Sequence, residues 1–388
     1  MNNVIDKIVK RGKCMRCGGC TAACPERILS AAYNSKTGFF DIRMETDRCC
    51  ECQKCLKVCP AGKEDYNKKY LGNYKRLCLT FSNEKMIRRD ATSGGSINEI
   101  CRFLLETNQV DYVLLVKNDW NEKILSKAEF VDKAEILKNS PRQFASRYVS
   151  LPVCSSLKEA DKSKRYAVVG TPCQIASAKR ILGAQSIYVG VACSEGISFK
   201  ATERYLKHIN AKNVKNIFYR GNGWPGQTAV YHGSGRITKQ EHYHSDFNAI
   251  YSSQVYRNRG CRYCHDQFAE EADISFFDFW NSKEVREEKY GKTGTIVRTE
   301  KGEKILRELE ADKRLCISGE LKEEEVIDCQ EWIVLLKKCY WKHWVVKGYY
   351  FLTDVLKLLK IEKFLAIWQY RLLGKVFRKV IYVLKIHN

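Results

Sequence analysis

At 388 residues the chain exceeds one ordinary core, so a small unit beside a large one is expected. Its 67 basic and 45 acidic residues give a formal charge of +22, which suits a membrane surface or an acidic protein; no recognition module accompanies the charge, so nucleic acid is set aside. Nineteen cysteines would fit a secreted disulfide scaffold, but the opening MNNVIDKIVKRGKC lacks an apolar signal segment and no stretch approaches 18 uncharged apolar residues. Reduced cytoplasmic thiols holding metal, and no membrane-spanning helix, are expected.

In chain order, two runs come first: Cys14, Cys17, Cys20, Cys24-Pro25, then Cys49, Cys52, Cys55, Cys59-Pro60. Each reads C-x2-C-x2-C-x3-C-P, the ligand run of a bacterial two-cluster ferredoxin, in which three close thiolates hold one iron-sulfur cube and the fourth reaches across to the other. This assigns Cys14, Cys17, Cys20 and Cys59 to one 4Fe-4S cluster, and Cys49, Cys52, Cys55 and Cys24 to the second. A zinc ribbon would use two pairs of ligands instead. Between the runs, Gly38 supplies a turn and Phe39, Phe40 and Ile42 a short strand, a ferredoxin-type hairpin. Cys50 has no role in this scheme. The ferredoxin domain spans 1–65, and the polar residues 66–76 read as a linker.

From 77 to 335, β-branched and aromatic runs alternate with helical ones, which predicts a larger α/β domain on a mixed sheet and an overall α+β / α/β class. Strands are predicted at Asp111–Val116, Tyr166–Val169, Ile187–Ala192, Ile217–Tyr219, Ala272–Phe277 and Thr295–Arg298. Helices are predicted at Ser96–Thr107, Cys173–Leu182, Ala201–Ile209 and Gly302–Leu309, with a loop and hairpin over Gly221–Lys239. Three loops have chemical content. Thr92-Ser93-Gly94-Gly95-Ser96 precedes a helix and reads either as an anion-binding turn or as an ordinary turn with Ser96 as cap. Val169-Gly170-Thr171-Pro172-Cys173-Gln174 lies at a strand's carboxyl end, where α/β sheets place ligands. Cys261 and Cys264 form a C-x2-C knuckle that needs partners; Cys173 and Cys193, both just after predicted strands, could supply them, and spacing alone leaves open a third cube, a zinc site and a purely structural knuckle.

These loops resemble one family, the beta subunits of hydrogenases and dehydrogenases that use coenzyme F420, a deazaflavin, with their bacterial relatives that carry a fused two-cluster ferredoxin. The resemblance rests on Ser93-Gly94-Gly95, Ser146-Arg147-Tyr148-Val149, Gly170-Thr171-Pro172-Cys173-Gln174 and Val191-Ala192-Cys193 with Gly196 and Ser198. It also rests on Cys261 and Cys264, Ala272-Asp273-Ile274-Ser275, Asp278, Trp280, Gly294 and Thr299-Glu300-Lys301-Gly302. It implies FAD, less readily FMN, in the large domain, with Ser93, Gly94, Gly95, Gly170, Thr171, Pro172 and Gln174 as flavin contacts. It further implies a third 4Fe-4S cluster on Cys173, Cys193, Cys261 and Cys264. Phe277 stands where the family commonly has Gly, so an altered or partly closed pocket is expected.

A flavin exchanges two electrons and a cube one, so the expected function is an iron-sulfur flavoprotein oxidoreductase with an acidic electron carrier such as ferredoxin on one side and a small-molecule or glycan-type substrate on the other. The resemblance adds polysaccharide biosynthesis as a setting, and the alternative is an electron-transfer subunit of a larger redox complex with no substrate of its own. His232, His242, His244 and His265, with Asp273 and Asp278, are the acid-base candidates, none preferred for catalysis; His265 is better read as tuning the cluster. The tail 336–388 carries 12 basic against two acidic residues from Lys337 onward and mixes them with Trp, Tyr and Leu at helical spacing. It reads as a peripheral contact with an anionic membrane at the inner face of the cell, as helices packed on the domain, or as a docking site for an acidic ferredoxin.

Overall fold

A computed structural model of the chain describes residues 2–62, 69–280, 288–337 and 344–386. Parts of the expected ferredoxin boundary, the linker and the tail, at 63–68, 338–343 and 387–388, lie outside the described residues.

The N-terminal unit is a hairpin, β1 (Leu29–Asn34) and β2 (Phe39–Met44), with the short helices Gly19–Ala23 and Lys54–Lys57 that carry the cysteine runs. Its small core joins Val4, Ile8, Ile28, Leu29 and Ile42 to Cys20 and Cys55. So few apolar side chains make a meagre core, as expected of a unit organised around its thiols.

The large domain is an α/β layer structure. Its strands are β3 (Arg76–Ser82), β4 (Tyr112–Asn118), β5 (Ser126–Val131), β6 (Tyr166–Gly170), β7 (Ile187–Val191), β8 (Val214–Phe218), β9 (Gln227–His232), β10 (Ile237–Glu241), β11 (Ile274–Asp278), β12 (Thr293–Val297) and β13 (Leu315–Glu320). Eight form one mixed sheet in the order β13-β3-β12-β11-β7-β6-β4-β5, and β10-β9-β8 form a second. Strands β4, β6, β7 and β11 run parallel, so their carboxyl ends share an edge. Period-two alternation sorts the central strands: Leu114, Val168 and Tyr188 face one core, while Val113, Ala167 and Val189 face the other. The helices Ser96–Glu106 and Glu300–Ala311 cover the second face.

Strands β3, β5 and β13 are additional to those predicted. The outermost, β5 (SKAEFV) and β13 (LCISGE), carry charged or small residues because an edge strand needs little apolar surface, which removes the signal that betrays inner strands. Helix Ser96–Glu106 starts where predicted, but Ser96 does not cap it: Gly95, at φ +85°, is the cap, and the Ser96 hydroxyl shares a 2.8 Å hydrogen bond with Thr80. The linker's later residues are fixed, since the carbonyls of Leu71 and Asn73 accept hydrogen bonds from the buried Arg298 guanidinium.

The C-terminal region is helical, with Trp344–Leu358 and Ile367–Ile386 packed on the large domain through Tyr349, Tyr350, Tyr370 and Phe377. No helix among the described residues is long and apolar enough to cross a membrane.

Candidate functional site

The two cysteine runs lie together in the N-terminal unit, with Cys14, Cys20, Cys24, Cys49, Cys55 and Cys59 sharing its small core. Burial raises the Cys20 thiol well above its ordinary value, and Cys17, Cys14, Cys59 and then Cys55 add to the rise, thiols from both runs. Cys55 is raised by burial and then feels Cys24 and Cys52, and one concave space is lined by Cys24, Cys49, Cys52 and Cys55 with Cys50 beside them. The sets differ in depth. Cys17 and Cys20 are buried, whereas Cys52 is exposed and is held below the usual thiol value by the backbone N–H of Lys54.

The carboxyl edge of the large sheet builds another thiol set. Cys173 sits in the first turn of the helix Pro172–Leu182, directly after β6, and Cys193 follows β7. Cys261 and Cys264 come from the short turn Arg259–Tyr263. Burial pushes Cys173 well up, followed in order by Cys17, Cys264, Cys193 and Cys261; burial likewise pushes Cys193 to about 11 and Cys261 to about 12. All four keep some accessible surface, yet burial dominates the ionisation of Cys173, Cys193 and Cys261. Lys337 reaches in, donating to the Cys193 carbonyl (2.6 Å), the Asp266 carbonyl (2.8 Å) and Cys264 Sγ (3.5 Å). Burial by itself would lower the Lys337 ammonium, but Cys264, Cys193 and Cys261 hold it above its ordinary value. The Gly196 N–H donates to Cys261 Sγ at 3.1 Å. His265 accompanies the set through Nδ1, 3.3 Å from the Lys337 carbonyl. Among the described residues no three His, Cys, Asp or Glu side chains stand close enough to share one ion, in the eight N-terminal thiols or here.

The two regions are interlocked. The Cys154 N–H donates to the Cys17 carbonyl, and Asn258, three residues before Cys261, donates its amide to the Cys14 carbonyl (3.1 Å). Gly260 allows that approach, because a Cβ there would fall on the Cys14 carbonyl. At the hairpin tip, the Phe199 N–H donates to the Gly38 carbonyl and the Ser198 hydroxyl to the Thr37 carbonyl.

Beside the thiol set lies a buried polar and aromatic cluster. Arg220 pairs with Asp278, donates to the Thr92 and Pro225 carbonyls, and lies 4.8 Å from the Trp280 ring centre and 5.2 Å from that of Trp224. Trp280 stacks on His242 at 5.3 Å, and burial followed by the Arg220 charge pushes the His242 imidazole down to about 3, leaving it neutral near pH 7. Tyr148 and Tyr251, 5.3 Å apart, connect this cluster to the thiols, since the Tyr251 hydroxyl shares a 2.6 Å hydrogen bond with Ser194, next to Cys193.

Residues 163–322 match the C terminus of the coenzyme F420 hydrogenase/dehydrogenase beta subunit, residues 78–158 the N-terminal part of the same protein, and residues 13–63 a 4Fe-4S dicluster domain. The chain belongs to the family of coenzyme F420 hydrogenase/dehydrogenase beta subunits. It is 27% identical over 326 residues to the F component of the F420H2 dehydrogenase of Methanosarcina mazei, covering 76% of this chain and 85% of that one. It is 25% identical to the coenzyme F420-dependent sulfite reductase of Methanocaldococcus jannaschii over 79% of this chain but only 47% of that one. In structure it resembles a chain of the F420-reducing [NiFe] hydrogenase complex of Methanosarcina barkeri, with a TM-score of 0.55 at 22% identity, covering 74% of this chain and 96% of that one, a likeness of fold.

Several motif residues of this family member have structural work to do. Gly94 is pressed against the sheet: its N–H donates to Thr293 Oγ1, and a Cβ would lie 2.8 Å from the Thr80 carbonyl oxygen. The Ser93 hydroxyl donates to the Lys292 carbonyl at 3.0 Å. Thr171 and Gln174 form a capping box at the Pro172 helix start, and the Gln174 amide also donates to the Leu151 carbonyl. A Cβ on Gly170 would crowd Gln174. Arg147 clamps the carbonyls of Leu125 and Ile217, and Asp273 accepts from the Tyr188 N–H and the Thr299 hydroxyl, so Asp273 is a brace. Phe277 is 4% exposed, and its ring fills the space over Gly294, its antiparallel partner, within the core of Phe268 and Phe279. It is therefore a packing residue paired with a glycine. His232 bonds Thr238 within the second sheet, and the exposed His244 lies apart from the cluster. Arg220, Trp224 and Lys337 escaped the sequence reading; the only hint was the Gly-rich run around Trp224, which marks a tight loop but no charge.

Proposed function

We propose that this chain is an iron-sulfur flavoprotein oxidoreductase in which Cys173, Cys193, Cys261 and Cys264 hold a third 4Fe-4S cluster between the ferredoxin pair and a flavin, FAD in preference to FMN. The observation that carries this is the ordering of the thiols. The second ferredoxin set opens to solvent at Cys52, Cys17 and Cys20 of the first are buried, and the Cys14 carbonyl accepts from Asn258, three residues before Cys261. Each iron of a cube takes one protein thiolate, so a cube's ligands surround it where a zinc ion's converge, in keeping with thiols too far apart for one ion. Bound cubes supply one-electron steps and a flavin the exchange with a two-electron partner. The chain's own residues do the rest. Lys337 balances negative charge at Cys193 and Cys264, and Gly196 N–H steadies Cys261. Arg220, fixed by Asp278, presents a buried cation among Trp224, Trp280 and Tyr148, a setting that favours a planar anionic ring. The buried guanidinium of Arg257 lies 3.5 Å from the Tyr350 ring centre and has no hydrogen-bond partner among the described residues, which suits a cofactor's phosphate.

The electron donor or acceptor at the open end is an acidic carrier of ferredoxin type. At the flavin we place a small organic molecule. The relatives' names supply the deazaflavin F420 as one candidate, and a glycan-type precursor is the other. Anaerobically purified protein should contain about 12 iron and 12 sulfide with one flavin per chain, falling to about 8 iron in Cys261→Ser with the ferredoxin signals intact and flavin reduction by a low-potential donor lost. Zinc without sulfide, or full flavin reduction in Cys261→Ser, would overturn this reading. In the second reading the same relay serves a partner's chemistry; it is favoured if reduced protein reacts with no organic acceptor yet passes electrons to another protein.

A further inference from the structure

The two C-terminal helices turn one apolar face inward and leave another uncovered. In Ile367–Ile386 the inward residues Tyr370, Phe377 and Ile381 are buried to 1% exposure or less, while Trp368, Leu372, Val376 and Tyr382 point outward at 44–64%. The turn joining this helix to Trp344–Leu358 is more extreme: Leu358 is 80% exposed, Leu359 61% and Phe364 84%. Side chains of that size rarely protrude together from a soluble surface without a partner.

The charge around them has one sign. Lys360 and Lys363 alternate with the turn's apolar residues, and Lys375, Arg378 and Lys379 flank the outward stripe, all exposed. Both acids of this region face elsewhere: Glu362 is 8% exposed, and Asp354 is paired with Arg262 and Lys357. A second copy of this surface would bring like charges together. An acidic protein could meet the lysines but would need a cavity for Leu358 and Phe364 projecting from a tight turn. A lipid leaflet accepts such projections at any angle while its headgroups meet the lysines, and Trp368 is suited to the boundary between them.

We infer that the turn 357–368 and the outward stripe of the last helix form a docking surface for an anionic lipid leaflet, holding the protein at a membrane face without crossing it. The inference is independent of the redox reading. Full-length protein, prepared anaerobically, should float with vesicles of phosphatidylglycerol and phosphatidylcholine and float poorly with phosphatidylcholine alone. Leu358→Ser/Phe364→Ser should weaken binding by about tenfold or more, and Lys360→Glu/Lys363→Glu by a similar factor that shrinks as salt is raised, with iron content unchanged in both. Absence of flotation on anionic vesicles, or equal flotation of wild type and both variants, would overturn it. So would a concentration-dependent dimer abolished by Leu358→Ser/Phe364→Ser without flotation, which would assign the face to a second copy.

Discussion

In the N-terminal unit eight cysteines arrive from two short runs, and each run keeps three thiols at three-residue spacing. In the large domain four cysteines spread from Cys173 to Cys264 come to one edge of the sheet because β6 and β7 are neighbours and the turn Arg259–Tyr263 is tied to the segment after β7 through Gly196 and Cys261. The first arrangement is local, so it survives in a core of a few apolar residues. The second is imposed by the sheet, so it depends on a large core and on a buried cation, Lys337. Chain-local ligand sets can sit on a small, open unit; dispersed ones require a rigid scaffold, and here the scaffold also fixes how the small unit docks.

Perturbing the seam between the two regions should have the largest effect. Gly260→Val sets a side chain on the backbone carbonyl of Cys14, and neither backbone can yield cheaply; a loss of about 3 kcal/mol or more, with the N-terminal unit undocked, is expected in chemical denaturation and limited proteolysis. Retained docking would mean that the seam is softer than its contacts indicate. Next comes Lys337→Gln, which removes a charge bonded to two carbonyls and a thiol and should cost about 2–3 kcal/mol. In the holoprotein it should also lower the potential of the proposed large-domain cluster in a redox titration while the N-terminal centres keep theirs, since a fixed positive charge favours the reduced, more negative state.

His242 offers a smaller, pH-dependent effect. Its folded value of about 3 lies below the ordinary 6.5, so the fold binds the neutral ring; its contribution is intact above about pH 6.5 and is lost as pH falls from there towards 3. Between pH 7 and pH 5 the wild type should lose about 1–2 kcal/mol that His242→Gln does not, read from urea midpoints at the two values. A parallel decline in both proteins would show that the ring is not the group responsible. The smallest effect belongs to Cys50→Ser. Cys50 is exposed and outside both crossed sets, so iron content and spectra should match wild type within error, and a loss of iron would redraw the second set.

Legibility in the sequence followed the same division. The ferredoxin runs and the hairpin between them could be read directly, as could strands such as Tyr166–Gly170 and Ile187–Val191, whose apolar runs are buried on both faces. The edge strands Ser126–Val131 and Leu315–Glu320 were invisible because exposure lets them be polar. Asp273 and Phe277 were open to misreading. One is a hydrogen-bond brace and the other a ring fitted over Gly294, roles that exist only across a sheet.

What the amino-acid order determined alone is the pair of N-terminal thiol sets, since ligands a few residues apart are placed by the geometry of one turn. What tertiary structure decided is the bonding of Cys154 and Asn258 to the backbone of Cys17 and Cys14, the insertion of Lys337 among the other four thiols, the Arg220–Asp278 pair, and the inward turning of Asp354 and Glu362 that leaves the last helices wholly basic outside. Each joins residues far apart in the chain, and a contact of that kind is set by packing of strands and helices against a shared core, which residue spacing does not encode.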